Sequence, residues 1–361
     1  SRPTCADAVR RRAGLGGIAL PTADGTVRGM AYSWEDLAAL ALGRQFPEVA
    51  GRDVEAVVEA GQRVGPVQAQ TARSPYVGLA ARLPGVAKAT IDAAYEASAF
   101  VRGSTLRGTV HACVAADHPL LDAVTRLGNR PLWARTLRLV ETSLEEVWEG
   151  IEAYAAPGWR TVAELVDHLA AWLAAHDPAA QPALTNAAGR FFALGHGGLV
   201  RRPLSGGWEG QGAPGYRTAS VLLGDAGERS RLAADPAAVL DAAVRRHLSA
   251  HGPASRQDIA WWSGVGLRPV DAALARLAGE LTATPGPDGR LYHDVAESPA
   301  PARTLTGVRL LPEFDALLCG YDPPARTRFI DPATTQCSGP RRTGSSRRRC
   351  WWTGGSPGTG G

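Results

Sequence analysis

The sequence predicts a mostly helical α+β fold: three tandem helix-turn-helix units, each closed by a β-hairpin wing, then a small β-barrel domain. Three observations carry this prediction. Apolar residues recur at helical spacing through much of residues 33–281. Short β-branched or glycine-tipped stretches follow the helices at 104–114, 201–223 and 282–295. The order of helices followed by one short β segment then repeats along the chain, as winged helices in series would require.

Each element has a local reason. Ser33-Trp34-Glu35-Asp36 is a capping-box pattern opening a helix through SWEDLAALALGRQF, which Pro47 ends. DVEAVVEAGQRV (53–64) places Val54, Val57, Val58 and Gly61 on one face of a second helix. VQAQTARSPYVGLAARL (67–83) is a third element, broken or restarted at Ser74-Pro75. Residues 88–103 read as an amphipathic helix and 104–114 as a strand, completing a first unit over 31–133. Residues 134–154 read as one long helix within a connector spanning 134–158. Helices over 160–176 and 183–200, with a hairpin over 201–223, make a second unit (159–225). Helices over 235–252, 255–266 and 267–281, with a hairpin turning at Asp288-Gly289, make the third (226–298). The run 308–321 opens the β-barrel segment (299–332), which is expected to be incomplete.

Composition bounds the function. The 361 residues are 45% hydrophobic and 20% charged, which excludes wholesale disorder. No apolar run approaches the ~20 residues of a membrane span. The five cysteines are scattered and never spaced C-x-x-C, which argues against a zinc ribbon or a disulfide framework and for a cytoplasmic, nucleoid-associated protein. Residues 1–30 carry +3 and residues 333–361 carry +5 of a formal +4, so the body carries −4. Affinity for nucleic acid must therefore come from local patches. Residues 1–30, ending in the single methionine Met30, read as a disordered or non-native extension. Residues 333–361 read as disordered or as the product of a shifted frame after Ala333.

One short motif invites chemistry. If Gln68-Ala69-Gln70 is extended, both carboxamides project from one side, because strand side chains alternate. Two amides then offer donors and acceptors to a base edge, a sugar or a water. On composition alone, two such glutamines are ordinary polar surface. No His, Cys or carboxylate cluster has metal-ligand spacing.

Larger motifs sharpen the reading. Residues 65–83, FVRGSTLRGTVH (100–111), HGPASRQDIAWWSG (251–264) and LLPEFDALLCGY (310–321) stand in an order and spacing that resembles the AlkZ-type winged-helix bacterial DNA glycosylases. That family includes enzymes that unhook interstrand crosslinks in antibiotic self-resistance. The likeness runs over residues 33–332. It implies three winged helices and a C-terminal β-barrel around a DNA channel, with a Gln-x-Gln or Gln-x-Asp catalytic pair. Gln68 and Gln70 match the first form. The tail does not continue the family's pattern, which is where this chain departs from it.

Amides suit one substrate class. An N7- or N3-alkylated purine is already cationic and leaves as a neutral base, so no strong acid is needed. A positioned water and oriented dipoles near the sugar suffice. Lys88 is the only lysine and is placed at a helix start, so Schiff-base lyase chemistry is not expected and no cofactor or metal is implied. The expected partner is double-stranded DNA with alkylated or crosslinked purines, bound by a monomer. Arg73, Arg102, Arg107, Arg201 and Arg202 are the expected DNA contacts, and Tyr76 a base-stacking one. His111 is expected to pack or hydrogen-bond, Asp315 to cap a helix, and one of Trp261 and Trp262 to be core. A winged-helix transcription regulator without catalysis is the alternative, and a third reading is a partial copy lacking its barrel.

Overall fold

The computed structural model describes residues 31–210, 212–297, 302–330 and 352–353. The expected extension 1–30 lies outside them, as does the tail 333–361 apart from two residues. Helix α1 (Trp34–Gln45) starts at the expected capping box: Ser33 accepts from the Asp36 N–H, and Asp36 accepts from the Ser33 N–H. A first unit follows with α2 (Val54–Val64), β1 (Val67–Gln68), α3 (Ser74–Arg82), α4 (Lys88–Glu96), β2 (Phe100–Thr105) and β3 (Thr109–Val114). Helix α5 (His118–Leu137) connects it to a second, composed of α6 (Leu144–Ala155), β4 (Arg160–Thr161), α7 (Val162–His176), α8 (Asn186–Leu194), β5 (Leu199–Pro203) and β6 (Pro214–Thr218). After α9 (Ala219–Leu223) and α10 (Ala226–Ala234) comes a third: α11 (Pro236–His251), β7 (Ala254–Ser255), α12 (Arg256–Ser263), α13 (Leu267–Arg276), β8 (Leu281–Pro285) and β9 (Leu291–Val295). The order helix, short strand, two helices, hairpin thus occurs three times.

The fold is mostly helical α+β with antiparallel sheets. The first two units share one sheet of order β1-β3-β2-β5-β6-β4, and the third has its own, β7-β9-β8. The junction is narrow: Gly103 of β2 faces Val200 of β5. A Cβ on Gly103 would stand 2.8 Å from the Leu199 carbonyl oxygen and 3.1 Å from His118 Nε2, so only glycine allows this approach. Separate cores fill the units, around Tyr95 and Phe100 in the first, Trp133, Trp148 and Phe192 in the second, and Leu248 and Ile259 in the third.

Several expectations need correction, among them the helix over 183–200, which ends at Leu194 before Leu199 opens β5, and the hairpin over 201–223, which ends at Thr218 where α9 begins. The helix expected over 88–103 stops at Glu96, because Phe100–Thr105 is buried throughout and takes strand partners on both edges. The strand expected over 104–114 is two strands turned at Leu106-Arg107-Gly108, where all three residues have positive φ. The single helix expected over 134–154 is two. Arg138 ends α5 in a left-handed conformation, and Ser143 with Glu146 forms a capping box that restarts the chain as α6. The buried Asp177 carboxylate accepts the Val140 and Glu141 N–H groups between them, at 2.7 and 2.9 Å. Helix α6 then packs in the core of the second unit.

Residues 302–330 pack against α1, α3 and α11. They hold a two-residue strand, β10 (Val308–Arg309), the short helix α14 (Ala316–Cys319) and a 3₁₀ turn (Pro324–Arg328). β10 pairs antiparallel with β11 (Trp352–Thr353). A barrel is not assembled among the described residues. Nor, among them, is any helix long and apolar enough to cross a membrane.

Four buried histidines make acid a specific stress. Burial lowers His118 and His247 to about 4 and His111 to about 3, and His251 falls well below its ordinary value. Between pH 6.5 and 4 the unfolded chain therefore binds more protons than the folded one, so stability is lost as pH falls through that window. Asp294, raised by burial to about 6, and Asp322, also raised by burial, act in the opposite sense, but they are two groups against four. Melting temperature is expected to fall steeply from pH 7 to pH 4.5; a flat profile would contradict the assigned neutral states.

Candidate active site

Strand β1 places the glutamine pair. Val67 faces Ala112 and Gln68 faces His111 across the ladder with β3, and the Ala69 N–H extends it by bonding the Val110 carbonyl at 2.7 Å. Val67 and Ala69 are buried at 1% and 2% exposure, whereas Gln68 is half-buried and Gln70 exposed. That alternation is the one an extended Gln-Ala-Gln needs to turn both amides from the core. The chain turns at Thr71, and Pro75 fixes the first turn of α3.

Gln68 borders a cavity of about 10 Å³, room for about one water. Arg107 and His111 line it from the first unit, His251 and Trp262 from the third, and Cys319 from α14. The Cys319 thiol donates to Gln68 Oε1 at 3.7 Å. Burial raises the thiol's pKa, so sulfur stays protonated and can donate. His111, bonded through Nδ1 to the Thr109 carbonyl at 3.0 Å, is neutral, as is His251. Arg107 is the one cation on this lining, and no carboxylate lies on it among the described residues. Such a site can orient water and stabilise charge with dipoles, but it holds no strong base.

A buried polar hub ties α1 and α3 to the start of α14. The Arg82 guanidinium donates to both Asp315 carboxylate oxygens, at 2.9 and 2.7 Å, with both side chains fully buried. It also reaches the backbone and side-chain oxygens of Gln45. Gln45 Nε2 in turn donates to the carbonyls of Val64 and Ala250. Asp315 caps α14 at the Leu317 N–H, the expected role, while also holding Arg82, which sequence reasoning missed. Gly320 lies so close to His251 that a Cβ would stand 2.3 Å from Nδ1.

The expected DNA contacts fall into different settings. Arg73 is exposed at the start of α3. Arg107 half-buries beside Gln68 and donates to the carbonyls of Trp261 and Trp262. Arg201 lies over the Tyr216 ring, and burial lowers its pKa. Three are committed elsewhere. Arg102 is 3% exposed, bonds the carbonyls of Trp208 and Ala72, and sits over the rings of Tyr95 and Trp208, so it braces the protein rather than facing solvent. Tyr76 donates its hydroxyl to Asp92 at 2.5 Å and has Lys88 over its ring, so it is not an open stacking surface. Arg202 pairs with Glu96 at 3.5 Å and lies over Trp159 and Trp208. Lys88 opens α4 as expected and is paired with Asp92 and Glu209. Trp262 is core at 3% exposure and Trp261 is 42% exposed, as adjacent helical positions require.

Two contributors went unread. Cys319 belongs to the quoted run LLPEFDALLCGY, and its position beside Gln68 was not foreseeable without the hub. Trp208 sits in the glycine-rich stretch expected as a wing tip. Instead of reaching outward it stacks on Tyr95 at 4.6 Å and bonds Glu96. An indole among glycines was the available signal.

The family model for AlkZ-like DNA glycosylases matches residues 62–355. Among solved structures, the Streptomyces sahachiroi DNA glycosylase AlkZ is alike in fold, with a TM-score of 0.67 at 19% identity, over 90% of this chain and 84% of that one. No curated protein matches in sequence.

Arg82→Met strands the Asp315 carboxylate in the core and is expected to cost about 3–5 kcal/mol. Arg82→Met with Asp315→Leu, which leaves no orphan charge, should cost less than the single change. Urea denaturation of both variants checks the order; a double variant weaker than the single one would show that the pair is not the source of the effect.

Proposed function

Because the chain belongs to the AlkZ-like DNA glycosylase family, we propose that Gln68 and Gln70 are its catalytic pair and N7- or N3-alkylated purines its substrates. The DNA N-glycosylase activity follows from the family. The choice of lesion rests on one observation: the cavity beside Gln68 carries amide, thiol, imidazole and guanidinium groups and no carboxylate among the described residues. Such a site favours a base that leaves unaided.

In this reading Gln68, steadied by the Cys319 thiol, orients a water in the cavity. The exposed Gln70 turns its amide dipole to the sugar, where positive charge develops as the bond to the base lengthens. The C1′–N bond breaks with its electron pair going to the cationic purine, which departs neutral. Water adds to C1′ and its proton passes to solvent, leaving an abasic site. Lys88 is tied to two carboxylates, which supports a monofunctional enzyme. We read the three repeats of helix, short strand, two helices and hairpin as winged helices that together face the duplex, with Arg73, Arg107 and Arg201 toward phosphate. A one-water cavity at Gln68, with Gln70 exposed two residues further on, supports bulky adducts, including interstrand crosslinks, over a base enclosed in a tight pocket.

With duplex DNA carrying 7-methylguanine, Gln68→Ala and Gln70→Ala are each expected to slow base release about 10²-fold. Duplex binding should change little. Abasic-site cleavage on a gel reads the rate; wild-type protein that binds but releases no base would favour the regulator reading. Borohydride is expected to trap no protein–DNA adduct, and a trapped adduct would overturn the monofunctional assignment.

A further inference from the structure

Beside the glutamine cavity lies an aromatic and cationic surface that the proposed chemistry does not use. Trp261 is 42% exposed although its neighbour Trp262 is core. The Arg326 guanidinium sits 5.5 Å from the Trp261 ring centroid. Arg107, on the cavity lining, anchors itself through Nη1 to the carbonyls of Trp261 and Trp262. Arg326 is anchored through Nε to the Tyr321 carbonyl at 3.2 Å. Among the described residues each arginine therefore keeps donors without a protein partner, and neither is paired with a carboxylate, unlike Arg44, Arg82, Arg126, Arg229 and Arg246.

The two charges also feel one another. Burial first, and the Arg326 charge as well, lower the Arg107 pKa. A half-buried cation next to a second cation, with no acid paired to either among the described residues, is unfavourable unless an anion completes the site. Trp261 stays 42% exposed even with Arg326 over its ring, and a nucleobase stacked on the part left open would cover it. One ligand meets both needs.

We propose that Arg107, Arg326 and Trp261 form a nucleotide clasp on the rim of the Gln68 cavity: the guanidiniums take a DNA phosphodiester and the indole stacks on the adjoining base. The inference rests on the glycosylase reading for its occupant, a DNA strand, and adds Arg326 and Trp261 as binding residues. The clasp joins the third unit to the segment after α14, so it would hold the strand where Gln68 from the first unit can reach the sugar.

The test uses the full chain and a fluorescein-labelled duplex, with or without one 7-methylguanine, over a salt series. Arg326→Gln should lower the slope of log affinity against log salt by about one. Trp261→Ala should weaken binding about tenfold, and Trp261→Phe, which keeps a ring, should recover most of it. Single-turnover base release should need more enzyme to saturate, with its maximal rate changed much less. Melting curves for each variant separate loss of the clasp from loss of fold. An unchanged salt slope for Arg326→Gln, or equal losses for Trp261→Ala and Trp261→Phe in folded protein, overturns the clasp. Wild-type protein that binds but releases no base overturns the glycosylase chemistry instead, and leaves the clasp to be judged on the binding slopes alone.

Discussion

Arg82 and Asp315 are 233 positions apart and neither side chain touches solvent. Removing both charges from water is unfavourable by several kcal/mol each, and their mutual attraction offsets this only with near-ideal geometry and every donor used. Here that condition is met. Two bonds join the pair, and the remaining guanidinium hydrogens reach Gly78 and Gln45. The arrangement gains little stability over an apolar core of equal shape, but it admits few alternatives. If α14 slid by one residue, a buried carboxylate would lose its partner. That constraint sets Cys319 against Gln68 and fixes the wall of the cavity.

A second constraint reaches the pair from the opposite side. The first and second units meet edge to edge at Gly103, and the loop between β5 and β6 folds back so that Trp208 covers Tyr95. Arg102 closes the bracket by bonding the carbonyls of Trp208 and Ala72, the latter two residues beyond Gln70. A segment expected to reach outward for DNA is thus spent on holding the turn after the glutamines. The surface left for DNA carries fewer free arginines than the sequence offers, since Arg102 and Arg202 are engaged with rings and carbonyls or with Glu96.

Local rules made much of this legible. Ser33 to Asp36 forms its capping box, the Asp288-Gly289 turn closes its hairpin, and the Gln-Ala-Gln alternation emerges as half-buried, buried, exposed. Where local rules were applied incompletely, the elements came out wrong: Ser143 and Glu146 carry the same box signal as Ser33 and Asp36, and they divide the helix expected over 134–154. Other features were not readable by any local rule. Phe100–Thr105 becomes strand because β3 and β5 take both its edges, and one of those partners is a hundred residues away. The roles of Arg82, Cys319 and Arg102 likewise depend on long-range neighbours, and side-chain type alone could not distinguish a bracing arginine from one that contacts phosphate.

The neutral cavity also bears on how the proposed chemistry could gain rate. A cationic purine nucleotide carries one positive charge before reaction and the same charge at the transition state; only its location moves, from base toward sugar. A carboxylate placed near both would attract substrate and transition state alike, tightening binding without accelerating the bond-breaking step. An oriented amide has a field that falls off quickly with distance and angle, so it can favour charge at C1′ over charge on the purine ring. Gln68 is held by β1 on one side and by the Cys319 thiol on the other. In the proposed reading the water that Gln68 orients is therefore in place before charge develops at C1′, and in a site without a strong base that preorganisation complements the dipole assigned to Gln70.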